Sequence, residues 1–199
     1  MAVAKKVLVV LLIISLFLSC AVLAVGGVGK DVLVLGADTS EKRPGIGGID
    51  MAYVLSFGGL TFVEKNALYP GGMTHPTAKP PTGVGTSKLY LHDSFWSEDL
   101  NNDAELAREI VKANTEYDPG LVIVFTPKAI DTMLFAIGSN TNNSIEAMRA
   151  DQNDKGMSRG DAVDKTADEL MGAVFSPKIV LLGIAALKSY LVGDIYVFL

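Results

Sequence analysis

The hydrophobic residues of this chain fall into short continuous runs and into longer segments with helical spacing. Asp31-Val32-Leu33-Val34-Leu35 is an aliphatic run that ends at Gly36, which is the pattern of a buried strand. Gly58-Gly59 lies between two other such runs and predicts the turn of a β-hairpin. The predicted strands cover residues 31–35, 51–57, 60–66, 121–125 and 195–199.

Four further segments carry apolar residues at the spacing of an amphipathic helix. In the second of them, Thr126 can cap a helix whose first residue is Pro127, and Gly138 marks its end. Ser158 and Ser176 are the predicted caps of the last two helices. The predicted helices cover residues 103–116, 127–137, 159–174 and 177–192.

The order of these elements predicts the fold class. Strands and helices alternate along residues 31–199, so the sequence predicts one α/β domain with a central mixed sheet flanked by helices. Tyr69 to Ser87 carries four prolines and is predicted to be a long surface loop. Loops of this length in compact domains are often functional.

The first 25 residues differ from the rest of the chain. Val7 to Val25 holds no charged residue, and at about 1.5 Å per helical residue it covers roughly 28 Å, close to the ~30 Å of a bilayer's hydrocarbon core. Lys5 and Lys6 precede this run, and the positive-inside rule keeps such lysines in the cytoplasm. Residues 1–25 are therefore predicted to form a single transmembrane anchor in the cell membrane, with residues 31–199 outside the cytoplasm.

Two alternative interpretations of this segment lead to the same location. Val22 and Ala24 are small enough for signal-peptidase cleavage after Ala24, which would make the segment a secretory signal. Phe17-Leu18-Ser19-Cys20 resembles a lipoprotein cleavage box, and a lipid on Cys20 would be an anchor of another kind. A buried core helix is disfavoured, because the remaining chain is too short and too polar to cover every face of the segment.

Residues 26–30 connect the predicted anchor to the first strand. Gly26-Gly27-Val28-Gly29-Lys30 is similar to a phosphate-binding loop, but Asp31 replaces the Ser or Thr that would bind magnesium. A strand also follows where that motif requires a helix. The segment is therefore interpreted as a flexible linker.

Composition excludes several classes of function. A net charge of -5 and a pI of about 5.0 argue against a general nucleic-acid binder, because such proteins take most of their affinity from Lys and Arg. Cys20 is the only cysteine of the chain, so an intramolecular disulfide and a cysteine-ligated zinc site are both excluded.

The densest polar cluster lies on the loop between the first strand and the hairpin. It consists of Asp38, Glu41, Lys42, Arg43 and Asp50. Loops at strand ends commonly carry sites. Two carboxylates and a guanidinium suit a phosphate or pyrophosphate bound with Mg²⁺, because carboxylate oxygens bind the ion and Arg bonds phosphate oxygens through two N–H groups. A solvated charged turn is the alternative interpretation.

A second cluster, Tyr90-Leu91-His92-Asp93-Ser94-Phe95-Trp96, combines His, Asp and Ser with the only tryptophan. Adjacent residues of an extended segment point to opposite faces, so these three polar residues do not form a hydrolase triad by being neighbours. In the structural interpretation, Phe95 and Trp96 pack over the core and Asp93 accepts backbone hydrogen bonds in a turn.

Two other sets of residues are weaker candidates. Metal binding by His75 and His92 has no ligand-spaced motif in its favour. In the second set, Asp161 would favour the dipole of the third predicted helix, whereas Arg159 could reach an anion bound near the start of that helix. The second set consists of Arg149, Asp151, Arg159 and Asp161.

Five motifs follow one another between Leu33 and Val174, and their order carries more information than any one of them. They are Ser40-Glu41-Lys42-Arg43-Pro44 with Gly47-Gly48-Ile49, His92-Asp93-Ser94-Phe95-Trp96-Ser97-Glu98-Asp99, Tyr117-Asp118, Pro127-Lys128-Ala129-Ile130-Asp131 with Gly138, and Met157-Ser158-Arg159-Gly160-Asp161-Ala162. In this order they resemble a family of membrane-anchored proteins of unknown function, DUF4012, distant relatives of the LytR-CpsA-Psr cell-wall ligases. The resemblance implies a LytR-CpsA-Psr-like fold.

The resemblance also implies a chemistry. The ligases transfer glycan polymers from a polyprenyl pyrophosphate carrier to wall material, with aspartates and Mg²⁺ at the reaction centre and arginines around the pyrophosphate. By resemblance, Asp38 and Asp50 are the catalytic acids and metal ligands, Arg43 is a catalytic arginine and Arg159 binds substrate. The ligases carry Arg-Ser-Asp where this chain has Gly48-Ile49-Asp50, so one expected cation is missing here.

Two functions are compatible with these residues. The first is an extracytoplasmic glycan phosphotransferase-like protein acting on a polyprenyl pyrophosphate-linked substrate, in which His92 and Trp96 contribute to substrate binding. The second is a non-enzymatic envelope module that holds a glycan polymer or a partner at the same loop and Trp96. The sequence does not decide whether the protein is an enzyme.

Overall fold

The structure, a computed structural model, describes residues 31–58, 61–139 and 159–199, without the side chains of residues 159–163. The predicted anchor, the linker of residues 26–30, Arg149, Asp151 and the predicted cap Ser158 lie outside the described residues. The strands are β1 (Asp31–Asp38), β2 (Gly48–Gly58), β3 (Thr61–Leu68), β4 (Pro119–Phe125) and β5 (Ile195–Phe198). The α-helices are α1 (Leu100–Asn114), α2 (Pro127–Ala136), α3 (Arg159–Val174) and α4 (Ile179–Leu191).

The five strands form one mixed sheet in the order β3-β2-β1-β4-β5. β1 and β4 are parallel, whereas the other neighbouring pairs are antiparallel. β1 lies at the centre and is buried along almost its whole length, as its continuous aliphatic run predicts. The prediction of a mixed α/β fold with a central sheet is therefore confirmed.

One face of the sheet, here called the closed face, carries Leu33, Leu35 and Val54 and is covered by α1 and the segment before it. The carboxylate of Asp99 caps α1 by accepting a hydrogen bond from the backbone N–H of Asn102 (3.2 Å). The apolar side of α1 then packs on the sheet through Ala104, Ala107, Ile110 and Val111. Together with the sheet, they form the larger of the two hydrophobic cores found among the described residues.

The opposite face of the sheet, the chamber face, is covered by α2, α3 and α4. The hydroxyl of Thr126 accepts from the N–H of Ala129, Pro127 is the first residue of α2, and Gly138 adopts a φ of 71° just after it, so the predicted limits of this helix are confirmed. The predicted start of α4, at residue 177, is wrong by two residues. Ser176 accepts from the N–H of Lys178 (3.2 Å) in a turn before the helix, and α4 begins at Ile179.

The segment between Tyr69 and Ser87 contains no helix or strand, as predicted, although Thr74 forms an isolated β-bridge with Tyr90. His75 ties this loop to α1. Its Nδ1 accepts from the N–H of Ala78 (2.7 Å), and its Nε2 lies 2.6 Å from a carboxylate oxygen of Glu109. Because both ring nitrogens are engaged, this side chain has a structural role and leaves no lone pair for a metal.

Within the described ranges, no single helix is long and apolar enough to cross a membrane. The pair Asp164–Val174 and Ile179–Leu191 meets that criterion only when taken together, with a bend of 115° between the two helices.

Candidate functional site

The two predicted acids lie at the same end of the sheet. Asp38 is the last residue of β1, and consecutive residues of β1 lie opposite Met51 and Ile49 of β2. Asp50 is therefore the extra residue of a β-bulge. A β-bulge changes the direction of the side chain of its extra residue, and bulges are frequent beside functional sites. The direction of the Asp50 carboxylate is therefore set by this irregularity in the strand pairing.

Asp38 begins the loop that joins β1 to β2. Its side chain is buried, and Oδ1 accepts a hydrogen bond from the N–H of Ser40 (2.8 Å). Gly47 closes the loop with a φ of 144°, and a Cβ there would lie 2.4 Å from the carbonyl oxygen of Asp38. Only glycine fits this position without strain, which explains the Gly-rich sequence of the loop.

Arg43 is the centre of a polar network formed by Glu41, Arg43, His92, Asp93 and Trp96, here called the Arg43 network. Nη1 contacts the carbonyl oxygen of His92 (3.2 Å) and Oδ1 of Asp93 (3.0 Å). Nη2 contacts Oε2 of Glu41 (2.5 Å) and Nε2 of His92 (3.0 Å). Each of the two terminal nitrogens therefore contacts two protein groups, three of the contacts being hydrogen bonds and the fourth an ion pair.

The two carboxylate partners of Arg43 differ in their exposure to solvent. The side chain of Arg43 is 7% exposed and that of Asp93 is 8% exposed, whereas that of Glu41 is 40% exposed. The guanidinium also lies over the ring of Trp96, 4.9 Å from its centroid. The pair with Asp93 is therefore internal, and the pair with Glu41 faces solvent.

The prediction for the segment around Trp96 is partly confirmed. Phe95 is completely buried in the core of the closed face, as the structural interpretation expected. Asp93 was expected to accept backbone hydrogen bonds, but its carboxylate pairs with Arg43 instead. Asp93 and Arg43 lie 50 residues apart in the chain, and local sequence carries no signal of a contact between them.

His92 connects the Arg43 network to Asp50. Nδ1 lies 2.9 Å from the carbonyl oxygen of Ile49, which can only accept, so this nitrogen carries the proton. Nε2 then accepts from Arg43. Oδ1 of Asp50 lies 3.6 Å from Nδ1, and the imidazole is 30% exposed. The network therefore holds the ring in one tautomer and orientation beside the bulge.

Glycines let the loop after β1 approach the segment of residues 92–97. The N–H of Gly45 donates to the carbonyl of Trp96 (2.9 Å), and a Cβ at Gly45 would lie 2.4 and 2.5 Å from the backbone oxygens of Phe95 and Ser97. At Gly48 a Cβ would meet Glu41 and His92. The Gly45 and Gly47-Gly48 pattern was the signal in the sequence that this loop packs closely against another segment.

A polar cleft of about 390 Å³ opens beside the bulge. Asp50 and His92 line it, together with Tyr53, Asp164 and the start of the long loop at Tyr69. In the described part of the chain, Asp38, Arg43 and Trp96 are not among the residues that line this cleft. The structure thus brings two of the predicted site residues to the cleft and adds Tyr53 and Asp164, which the sequence analysis did not single out.

An apolar chamber of about 240 Å³ lies between the chamber face of the sheet and the helices α2, α3 and α4. The surface of its walls is almost entirely apolar, with Ile130, Met133, Leu170 and Val174 among the residues that form it. Met51 and Tyr53 border both this chamber and the polar cleft. The two cavities are therefore neighbours, with these two residues lining both.

Tyr53 links the sheet to α3 at this junction. Its hydroxyl donates to Oδ1 of Asp164 (2.8 Å), and Nζ of Lys65 lies 5.0 Å from the centroid of its ring and 2.6 Å from Asp168. Burial, and then the hydrogen bond to Asp164, raise the pKa of the Tyr53 phenol above its ordinary value of 10.0. The phenol therefore keeps its proton and remains a donor at neutral pH.

The predicted metal and substrate residues are placed as follows. Within the described ranges, no group of three or more His, Cys, Asp and Glu residues is arranged to hold a metal ion. Arg159 is the first residue of α3, five positions before Asp164, and its side chain is not described. Its role in substrate binding stays a prediction, as do the metal-binding roles of Asp38 and Asp50.

The fold is similar to the folds of two proteins with crystal structures. Protein gbs0355 from Streptococcus agalactiae has a TM-score of 0.57 and 15% identity, over 88% of this chain and 71% of that chain. A transcriptional regulator, EF0465 from Enterococcus faecalis, has a TM-score of 0.52 and 11% identity, over 84% of this chain and 65% of that chain. At these identities the likeness concerns the fold alone.

A search of curated proteins found no match to this chain. The model of a family described as a protein of unknown function, DUF4012, matches residues 29–154, which is more than half of the sequence. The family predicted from the order of the motifs is thus confirmed, and the chain belongs to the DUF4012 family.

Proposed function

We propose that this protein binds a glycan linked to polyprenyl pyrophosphate at the outer face of the cell membrane. The observation that carries the proposal is that the apolar chamber and the polar cleft are neighbours, both lined by Met51 and Tyr53. An isoprenoid chain is apolar and a pyrophosphate is strongly polar, so a molecule with both parts requires two adjoining cavities of these characters. At about 240 Å³ the chamber accommodates the part of the lipid nearest the phosphates.

In this proposal, Asp50 and His92 contact the head group from the floor of the cleft. Mg²⁺ fits the predicted acids by chemistry, because their carboxylate oxygens are hard ligands: Asp50 lines the cleft and Asp38 lies outside its lining at the same end of the sheet. One or two carboxylates together with substrate phosphates form a common magnesium site. When bound, the ion would neutralise charge on the pyrophosphate. Arg159, at the start of α3, is the proposed cation on the other side of the cleft.

Arg43 has a conditional role in this proposal. Both of its terminal nitrogens contact protein groups, and Glu41 is the more exposed of its two carboxylate partners. A substrate phosphate that displaced Glu41 would gain a charge-assisted bond to Nη2 while Asp93 kept Nη1 in place. Arg43 would then stabilise charge in a transfer reaction, as the family resemblance implies.

A non-enzymatic envelope module that binds the same lipid-linked glycan is the second candidate. The observation in its favour is the engagement of Arg43, which holds His92 and Trp96 in position without a substrate. Both candidates use the predicted anchor, Val7 to Val25, to keep the domain at the outer surface of the membrane. They differ in whether the bound glycan is transferred.

The test uses the full chain in detergent micelles and measures binding of undecaprenyl pyrophosphate by microscale thermophoresis. Ala167 of α3 lines the chamber, so Ala167→Trp should fill it and weaken binding at least about tenfold, a loss of ~1.4 kcal/mol. Gly172 of the same helix has open space around its Cβ position, so Gly172→Trp is the matched control and should bind normally. Equal binding by the two variants would remove the chamber from the proposal.

A second measurement separates enzyme from module. With Mg²⁺ present, Asp38→Asn and Asp50→Asn should each weaken binding of the pyrophosphate, and only a catalytic protein should release polyprenyl phosphate from a lipid-linked glycan when an acceptor is added. If magnesium-dependent binding survived Asp38→Asn and Asp50→Asn together, the metal site would have to be abandoned.

A further inference from the structure

We propose that the outer face of α4 docks on the membrane surface and that the lipid it contacts is anionic. This inference rests on the membrane attachment included in the proposed function. The face consists of Phe175, Val180, Leu181, Ile184 and Leu191. Three observations carry it: the exposure of these apolar side chains, the charge of the surrounding sequence, and the point at which the predicted anchor joins the domain.

α4 carries apolar residues on both its buried and its exposed side. Its inner side is buried through Leu182, Ala185 and Ser189. On its outer side, Leu181 is 50% exposed, Ile184 60% and Leu191 73%, and Phe175 in the turn before it is 67% exposed. Contiguous apolar surface of this kind marks an interaction site for a membrane or a partner.

The sequence around this face lacks negative charge. Between Glu169 and Asp194 there is no acidic residue, and the charged residues of that stretch are Lys178 and Lys188. The chain as a whole carries a net charge of -5, whereas the charged side chains of this stretch are both positive. An apolar helix face flanked by lysines is the pattern of segments that lie in the interface of an anionic bilayer.

The predicted anchor brings this face near the membrane. Five linker residues, 26–30, span at most ~17 Å between the end of the anchor and Asp31. Asp31 lies opposite Ser56, and the next residue of β2, Phe57, pairs with Phe62. The ring of Phe62 contacts that of Phe175 with centroids 5.7 Å apart. The linker and the start of the α4 face therefore lie at the same end of the sheet.

Because the linker is short, even a low affinity of the α4 face for lipid is sufficient for docking. Because the anchor confines the domain to within a few nanometres of the bilayer, a face that would not bind free vesicles still rests on the membrane most of the time. Leu182, on the inner side of α4, lines the apolar chamber. Docking therefore leaves a single helix between the chamber and the lipid.

The experiment places a fluorescent label on the full chain in nanodiscs that contain phosphatidylglycerol. In a Cys20→Ser background, Ile184→Cys reports on the proposed face, and Glu105→Cys on α1, on the opposite face of the sheet, is the matched control. An environment-sensitive nitrobenzoxadiazole label at position 184 should be shielded from iodide about threefold or more relative to position 105. It should also be quenched by spin-labelled lipid. Replacing phosphatidylglycerol with phosphatidylcholine, or introducing Lys178→Glu with Lys188→Glu, should reduce this difference by at least about half.

Each other result overturns the inference. A label at position 184 as accessible as that at position 105, in discs that hold the chain, rejects docking but leaves the proposed lipid site standing. Chain that does not enter the discs rejects membrane attachment itself. Shielding at position 184 that occurs only in discs with two copies assigns the face to a second copy of the chain.

Discussion

The two faces of the sheet are packed in different ways. The largest fully buried side chains of the described residues lie on the closed face or at its edges, and Leu134 is the single member of that set that belongs to the chamber face. The chamber face contains a cavity, and its helices expose apolar side chains to solvent. Close packing supplies stability, whereas a cavity forfeits contacts that a ligand could restore. The closed face is therefore the stable half of the domain, and the chamber face is the half available for binding.

The largest expected effect compares one residue from each face. Phe95→Ala on the closed face should lower the free energy of unfolding by about 3–5 kcal/mol, because the ring is completely buried and contacts Phe198. Leu170→Ala in the chamber wall should cost less than about 2 kcal/mol, since that side chain already borders empty space. Urea unfolding followed by Trp96 fluorescence measures both. Equal losses would mean that the two faces are equally well packed.

The next effect concerns the Arg43 network, which joins the loop after β1 to the closed face. Arg43→Ala should destabilise the protein by about 3 kcal/mol, because it leaves the buried carboxylate of Asp93 without its cation. The double variant with Asp93→Ala should be more stable than the sum of the two single changes predicts. Additive losses in the same urea assay would show that the pair is not coupled.

A smaller loss is expected from closing the space at Gly45. Gly45→Ala forces a methyl group against two backbone oxygens and should cost about 2 kcal/mol. Gly85→Ala is the control in another loop, because nothing lies within 4 Å of its Cβ position, and its stability should stay within about 0.5 kcal/mol of wild type. Equal melting temperatures of the two variants would mean that the loop after β1 is not packed as closely as the structure indicates.

The smallest expected effect is a pH dependence of the free energy of unfolding, caused by a buried carboxylate on the closed face. Burial raises the pKa of Asp103 above its ordinary value of 3.8, although hydrogen bonds from Ser97 act in the opposite direction. A raised pKa in the folded state means that the favourable contribution of this group is fully present below pH 3.8 and is lost as pH rises through the folded pKa. The stability of wild type relative to Asp103→Asn should therefore fall from acid to neutral pH in unfolding curves. A rise over that interval would contradict the burial of this carboxylate.

The secondary structure was largely readable from the sequence, because continuous aliphatic runs and helical spacing mark buried strands and amphipathic helices. Thr126 and Gly138 marked the ends of α2 correctly, since capping is a local property. The start of α4 was wrong because Ser176 also has the residue type of a cap, yet its hydroxyl closes a turn. Chain pattern alone does not distinguish these two uses of serine.

The site was less readable. Arg43, His92 and Asp50 were each predicted as site residues, but their contacts with one another join residues far apart in the chain, which spacing does not encode. In the sequence, Tyr53 has the pattern of an ordinary strand residue. Its place between the two cavities arises only when α3 packs over the sheet. Cavities are properties of packing among several elements, so local pattern carries little information about them.

The β-bulge at Asp50 has a consequence for how the site relates to the fold. Ile49 points into the closed-face core and Met51 towards the chamber face, although residues two apart in a regular strand share a face. Deleting Asp50 would make them neighbours with opposite orientations, which is what an uninterrupted ladder requires. The scaffold is thus complete without Asp50. That carboxylate is a one-residue insertion whose removal should leave a regular sheet and an altered cleft.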